Sequence, residues 1–274
     1  MQIYKTGPID WRDLQQRVCD IFNDIGCNAE VEKDVTVTLR DADRTIEVDV
    51  WVEDNRQTPN VCYQVECKNW SDNIPQEKVV ALSEYMRKTG ANSGYIISKA
   101  GFQEGAIAHA KGTNIQLLTF DEFQEHYWLT WLLDCFKHNS DSIQQDISAM
   151  QGSLYPGMPW NQALYGDLTH HYPDNLTEFH GFMSWHSAFS GRLSYLCARY
   201  ILPQHVLEPE MLETELSWEE IEGMISGANL IAKHHSESDE PYSFEPDANN
   251  LREIYIGIRA EYSRIKDTLL APKI

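Results

Sequence analysis

Two short stretches leave this chain few ways to fold. In Thr45-Ile46-Glu47-Val48-Asp49-Val50-Trp51-Val52, and again from Val61 through Tyr63-Gln64-Val65-Glu66-Cys67-Lys68, apolar and polar residues alternate. That period of two is the signature of half-buried β-strands. Ile46, Val48, Val50 and Val52 share one face, while Glu47, Asp49 and Trp51 share the other. Val61, Tyr63, Val65 and Cys67 likewise stand opposite Gln64, Glu66 and Lys68. If the strands are neighbours with their apolar faces in one core, Asp49, Glu66 and Lys68 project from the same side. Slipping the register by one residue would turn all three into the core. Two adjacent carboxylates repel each other unless a hard cation sits between them, and Mg²⁺ is commonly held by one or two carboxylates with water and phosphate completing its shell. A lysine two residues away can hold or deprotonate an attacking water and offset charge on a phosphate.

The flanking pattern is α/β. Asp10 is placed to cap a helix running to about Ile25, with Leu14, Val18, Ile21 and Phe22 at helical spacing and Gly26 as the stop. Val31 to Leu39 alternates as a strand before a turn at Asp41-Ala42-Asp43. Pro75 suits the first turn of a helix ended by Gly90. Gly94 to Ser98 reads as a short buried strand, Phe102 to Ala110 as a helix, Ile115 to Leu118 as a strand, and Asp121 as the cap of the next helix. That order implies a mixed sheet flanked by helices. From about residue 128 the patterns are helical: Tyr127 to Phe136, Ser142 to Met150, Thr177 to Leu202, Trp218 to Lys233 and Leu251 to Leu270. Loops are expected at Gly152 to Trp160 and Ser236 to Ala248. Two domains follow, 1–127 and a mostly α-helical 128–274.

Asp49 followed by Glu66-x-Lys68 at the end of the next strand resembles the PD-(D/E)xK nuclease superfamily. Three further features narrow the resemblance to its Mrr-like restriction endonuclease branch over about residues 8–125. These are the opening helix, the run Val65-Glu66-Cys67-Lys68-Asn69-Trp70, and Gly94-Tyr95-Ile96-Ile97-Ser98-Lys99-Ala100-Gly101-Phe102 with Ala106 and Ala110. The resemblance implies a restriction-endonuclease-like fold and a metal-dependent endonuclease acting on DNA, RNA being the other candidate strand. It implies Mg²⁺ or Mn²⁺ held by Asp49, Glu66 and the backbone carbonyl of Cys67, with Lys68 handling the attacking water. Glu47, Gln64, Ser98 and Lys99 are candidates for support, Lys99 near the substrate backbone, and Asp13 is the nearest match to an acid in the family's first helix. Defence against foreign DNA also follows from the resemblance alone.

Composition pulls the other way. The net charge is −20, and residues 1–127 hold 13 Lys+Arg against 21 Asp+Glu, a net −8. A tight, free-standing nucleic-acid binder ordinarily shows a basic footprint. Residues 128–274 hold 9 against 21, a net −12, so the helical half is expected to contact protein, as a homodimer interface or a partner surface. The alternative function is therefore a nuclease fold serving as an interaction module. Cys19, Cys27, Cys62, Cys67, Cys135 and Cys197 contain no CxxC pair, and with no signal peptide or membrane segment legible the expected compartment is the cytoplasm. The histidines lack zinc-site spacing and are expected at the surface or in caps; Trp128, Trp131, Trp185 and Trp218 recur with Leu and Ile at helical spacing and are expected in the core.

Overall fold

The computed structural model describes residues 2–5, 7–39, 42–154, 174–202, 218–234 and 241–270. The chain divides into two compact units, Gln2–Trp131 and Leu132–Ile274, the latter taking in Met1.

The first unit is a five-stranded sheet in the order β1-β2-β3-β4-β5, formed by Asn28–Leu39, Ala42–Asp54, Val61–Lys68, Ser93–Ser98 and Ile115–Thr119. β1, β2 and β3 pair antiparallel; β4 and β5 add parallel to β3. This is the mixed sheet that the alternating segments imply. Helix α1 (Trp11–Asp24) starts where the Asp10 carboxylate accepts the Asp13 amide at 2.8 Å, and Gly26 leaves it with φ of 91°. Helix α2 (Gln76–Thr89) ends on Gly90 in the left-handed conformation, with Pro75 as the cap residue just before it. Helix α3 spans Glu104–Ala110, so Phe102 lies outside it and instead bridges to Ile74. Helix α4 (Phe120–Thr130) is capped by Thr119 rather than Asp121: Thr119 and Glu122 bond each other's backbone amides in a capping box. Of the turn expected at Asp41 to Asp43, Ala42 and Asp43 belong to β2; Asp41 lies outside the described residues.

The apolar face that alternation assigns to the central strands is buried, and helices also cover part of the opposite face. Val48, Val50, Val52 and Val65 are fully buried on the α1 and α4 side. There Phe22 stacks on Tyr63 with ring centroids 6.0 Å apart, and meets Tyr127 and Phe123 at 5.1 and 5.4 Å. On the other face α2 and α3 close a second core of Ile74, Val79, Leu82, Met86, Ile96, Ala106 and Ile115. Gly94 is what lets α2 settle on β4: a Cβ there would stand 2.5 Å from Met86 Sδ and 3.1 Å from Leu82 Cδ2.

After α4 a π-helical stretch, Trp131–Lys137, leads into the helices of the second unit: α5 (His138–Leu154), α6 (Asp174–Ile201), α7 (Trp218–His234) and α8 (Leu251–Leu270). Residues 152–154 thus lie in a helix rather than a loop, and the rest of the two expected loops falls on 241–248 or outside the described residues. Its core is aromatic: Trp185 stacks on Phe189 with centroids 5.1 Å apart and meets Phe244 at a tilt of 54° and 4.7 Å. His186, expected at the surface, is fully buried there with Gln144 Oε1 3.2 Å from Nδ1, and burial pushes its pKa down to about 4. Trp128, Trp131 and Trp185 are buried; Trp218 is only half-buried. His170, His171 and His235 lie outside the described residues. Among the described residues no helix is long and apolar enough to cross a membrane.

Phe22→Ala removes the ring on which the α1-side core converges. The expected loss is about 3–5 kcal/mol of the first unit's stability, measured by urea denaturation followed by far-UV circular dichroism.

Candidate functional site

The site lies where the sheet forks. Pairing between β2 and β3 ends at Val50↔Val65. Beyond that point β2 continues beside β1, through Lys33↔Val48 and Asp34↔Glu47, while β3 stays with β4 as far as Lys68↔Ser98. In the crotch, Asp49 reaches across in place of the missing ladder bond, and its Oδ2 accepts the Cys67 amide at 2.7 Å. The Lys68 ammonium bonds the same Oδ2 at 3.2 Å and Glu66 Oε2 at 2.8 Å. One cation thus already holds together the two carboxylates that alternation places on one face. Among the described residues the other oxygen of each carboxylate has no hydrogen-bond partner.

Depth along this face separates residues that the sequence treats alike. Gln64 is fully buried beneath the end of α2, where its Oε1 accepts the Thr89 hydroxyl at 3.1 Å. It was expected on an accessible polar face; α2 covers it. Two residues on, the Glu66 side chain is 18% exposed and that of Lys68 is 20% exposed, at the margin of the helical cover. Burial pushes the Glu66 carboxyl above its usual 4.5, and Asp49 adds to the rise against the pull of Lys68. Burial works to lower Lys68, but its two carboxylate neighbours outweigh it and raise the ammonium above 10.5.

The supporting candidates scatter. Glu47 is exposed one step further out on the Asp49 face of β2. Ser98 is fully buried, and its hydroxyl is engaged in a local turn, accepting the Ala100 and Gly101 amides at 3.2 and 3.1 Å. Lys99 is exposed, and its amide donates to the Lys68 carbonyl at 3.1 Å. Its side chain lines a different recess, a cleft of about 150 Å³ shared with Lys5, Arg17 and Phe120. Asp13 is exposed in the first turn of α1. A residue the spacing did not single out is Asn69, which ties the site loop to the segment before α1 by donating to the Ile9 carbonyl at 2.8 Å. Its place directly after Lys68 was the available signal.

The donor set fits a hard dication. Among the described residues no three His, Cys, Asp or Glu side chains cluster as a metal site, so an ion here would rest on two carboxylates and a backbone carbonyl. Mg²⁺ tolerates such a sparse set because it keeps several waters and takes substrate oxygens, whereas zinc prefers nitrogen and sulfur. The mostly buried Glu66, its pKa raised by burial and by Asp49, is the arrangement that a divalent charge relieves.

Residues 7–127 match the family model described as restriction endonuclease, Mrr_cat. No curated protein matches the chain. Among solved structures, one titled a protein of unknown function, AF1548, is 12% identical, with 82% of this chain and all of that chain covered at a TM-score of 0.34. The DNA modification-dependent restriction endonuclease AspBHI is also 12% identical, with 46% of this chain and 39% of AspBHI covered at a TM-score of 0.25. Neither likeness adds to the family match. That match falls on the sheet carrying the fork between β2 and β3, so residues 7–127 are similar to a restriction endonuclease domain, in keeping with the resemblance to the Mrr-like branch of the PD-(D/E)xK superfamily.

Proposed function

We propose that this nuclease domain hydrolyses phosphodiester bonds in DNA with Mg²⁺ or Mn²⁺ held by Asp49, Glu66 and the Cys67 carbonyl. The single observation that carries the reading is the Lys68 ammonium bonded to both carboxylates at the fork. A divalent ion bound there supplies charge neutralisation at the phosphate and a water of lowered pKa. Asp49 is oriented for that task by the Cys67 amide, which fixes one of its oxygens and leaves the other to face a ligand. Lys68 orients the attacking water through its ammonium hydrogens and offsets negative charge on the scissile phosphate. Its raised pKa keeps it protonated at neutral pH, which suits holding and charge-offsetting better than proton abstraction. Glu47, exposed further along the same strand face, is available as a proton acceptor. Defence against foreign DNA is the biological role this activity fits. The acidic helical half, 128–274, serves recognition, dimerisation or partner binding, its net −12 favouring protein over phosphate. That same acidity is what supports the second reading, an interaction module whose partner brings the nucleic acid.

Incubation with supercoiled plasmid and Mg²⁺ or Mn²⁺ tests the assignment. The expected result is nicking or cutting that EDTA abolishes and that Lys68→Ala lowers about 10²–10⁴-fold. Undiminished cleavage by purified Lys68→Ala protein rules out this site, and no cleavage by the parent with either metal favours the second reading.

The pH profile follows from Glu66. Its folded-state pKa lies above the usual value, so as pH falls it takes up a proton earlier than an ordinary glutamate and stops serving as a ligand. Proton and dication therefore compete for Glu66, and the metal concentration needed for half-maximal cleavage is expected to rise as pH falls. Stability moves the other way. The folded chain binds this proton more tightly than the unfolded chain, so the Glu66 contribution to stability grows as pH falls through the raised pKa toward 4.5. Thermal melts of metal-free parent and Glu66→Gln protein across that window check the sign: the substitution stabilises near neutrality, and its advantage fades in acid.

A further inference from the structure

The proposed nuclease must hold a polyanion with an acidic surface, 13 Lys+Arg against 21 Asp+Glu over residues 1–127. Affinity that does not come from a basic footprint can come from stacking bases on aromatic rings. The tryptophans of this unit divide cleanly. Trp51, Trp128 and Trp131 are buried, whereas Trp11 and Trp70 are 46% and 42% exposed. Both exposed rings lie on the segments that meet at the fork. Trp70 follows Lys68 by two residues, Trp11 opens α1, and the two segments are tied by the Asn69 to Ile9 hydrogen bond of 2.8 Å. Each ring has a cation over it: the Arg12 guanidinium 4.7 Å from the Trp11 centroid, and the Lys78 ammonium 5.4 Å from that of Trp70. The Lys78 charge also acts on the Glu66 carboxyl, so the Trp70 ring, its cation and the candidate metal ligand share one neighbourhood. Among the described residues neither indole N–H has a hydrogen-bond partner.

We infer that Trp11 and Trp70 are stacking platforms for unpaired nucleobases, and that the strand this domain takes is single-stranded or opened around the scissile phosphate. The inference rests on the nuclease reading above and names its substrate class. The exposed part of each indole offers a surface to the face of a base, and the cation held at the ring donates to the flanking phosphate. In a duplex, base faces are covered by their neighbours, so stacking selects unpaired strands without reading sequence. DNA and RNA offer the same base faces and differ at the 2′-hydroxyl.

Fluorescence anisotropy with the full chain in EDTA measures binding without cleavage. The probes are a short labelled thymidine-tract DNA, the same strand paired to its complement, and a uridine-tract RNA whose affinity relative to the DNA names the preferred sugar. Single strands are expected to bind at least about tenfold more tightly than the duplex, and Trp70→Ala to lose about tenfold on single strands only, with Trp70→Phe recovering most of it. Trp11→Ala is expected to act in the same direction. Thermal melts check that each variant folds, and Lys78→Glu, which leaves the ring in place, carries the test if Trp70→Ala does not. Equal or tighter duplex binding, or single-strand affinity unmoved in all three positions, overturns the inference. Duplex preference with metal-dependent plasmid cleavage intact would overturn it and spare the nuclease reading. Trp70-dependent strand binding by a protein that cuts nothing would do the reverse.

Discussion

The hydrogen bond from the Cys67 amide to Asp49 is what the site depends on. β2 and β3 part after Val50↔Val65, and the parting takes away the strand partner that Cys67 would otherwise have. A buried amide left unpaired costs about 1–3 kcal/mol, and the Asp49 carboxylate removes that cost at 2.7 Å. The backbone therefore pins the side chain, and the pinned carboxylate in turn holds the Lys68 ammonium. The rest of the first unit keeps the fork open at that point. The aromatic core around Phe22 supports β3 and β4 from the α1 side, and α2 and α3 press on the other face.

Where the helical cover stops decides the electrostatics. Gln64, Glu66 and Lys68 run along one strand face from full burial under Thr89 to the margin of the sheet. Glu66 falls on the boundary, dry enough for its carboxyl to keep a proton beyond the ordinary range and open enough to meet a ligand. A carboxylate in that position favours a dication more than a solvated one does, because less hydration must be given up. Lys68 restores part of the balance in the meantime.

Much of this was legible beforehand, for a geometric reason. Side chains on a strand alternate whatever surrounds it, so grouping Asp49, Glu66 and Lys68 required only that β2 and β3 be neighbours. Helix limits were nearly as plain where caps were explicit, at Asp10, Gly26 and Gly90. Thr119 displaced Asp121 as a cap because the capping box needs its Glu three residues on, and Glu122 stands there. Alternation assigns a face but not a depth, which is why Gln64 reads as accessible and is buried. His186 reads as a surface or capping residue because a histidine in a helical pattern carries no mark of the aromatic core that closes over it.

The order of strands and helices, the polar face and the chemistry it carries follow from local periods and turn residues, which any surrounding fold must respect. Tertiary structure alone decided that the ladder opens at Asp49, that Gln64 is buried under Thr89 while Glu66 keeps partial access, and that Trp11 and Trp70 stay in water while Trp51 does not. Each of those depends on elements distant in sequence meeting in space: a strand pair's end, a helix's reach, a loop tied to the start of α1 by Asn69. Covalent neighbours hold no record of such meetings, because burial is a property of the assembled layers and not of the residue.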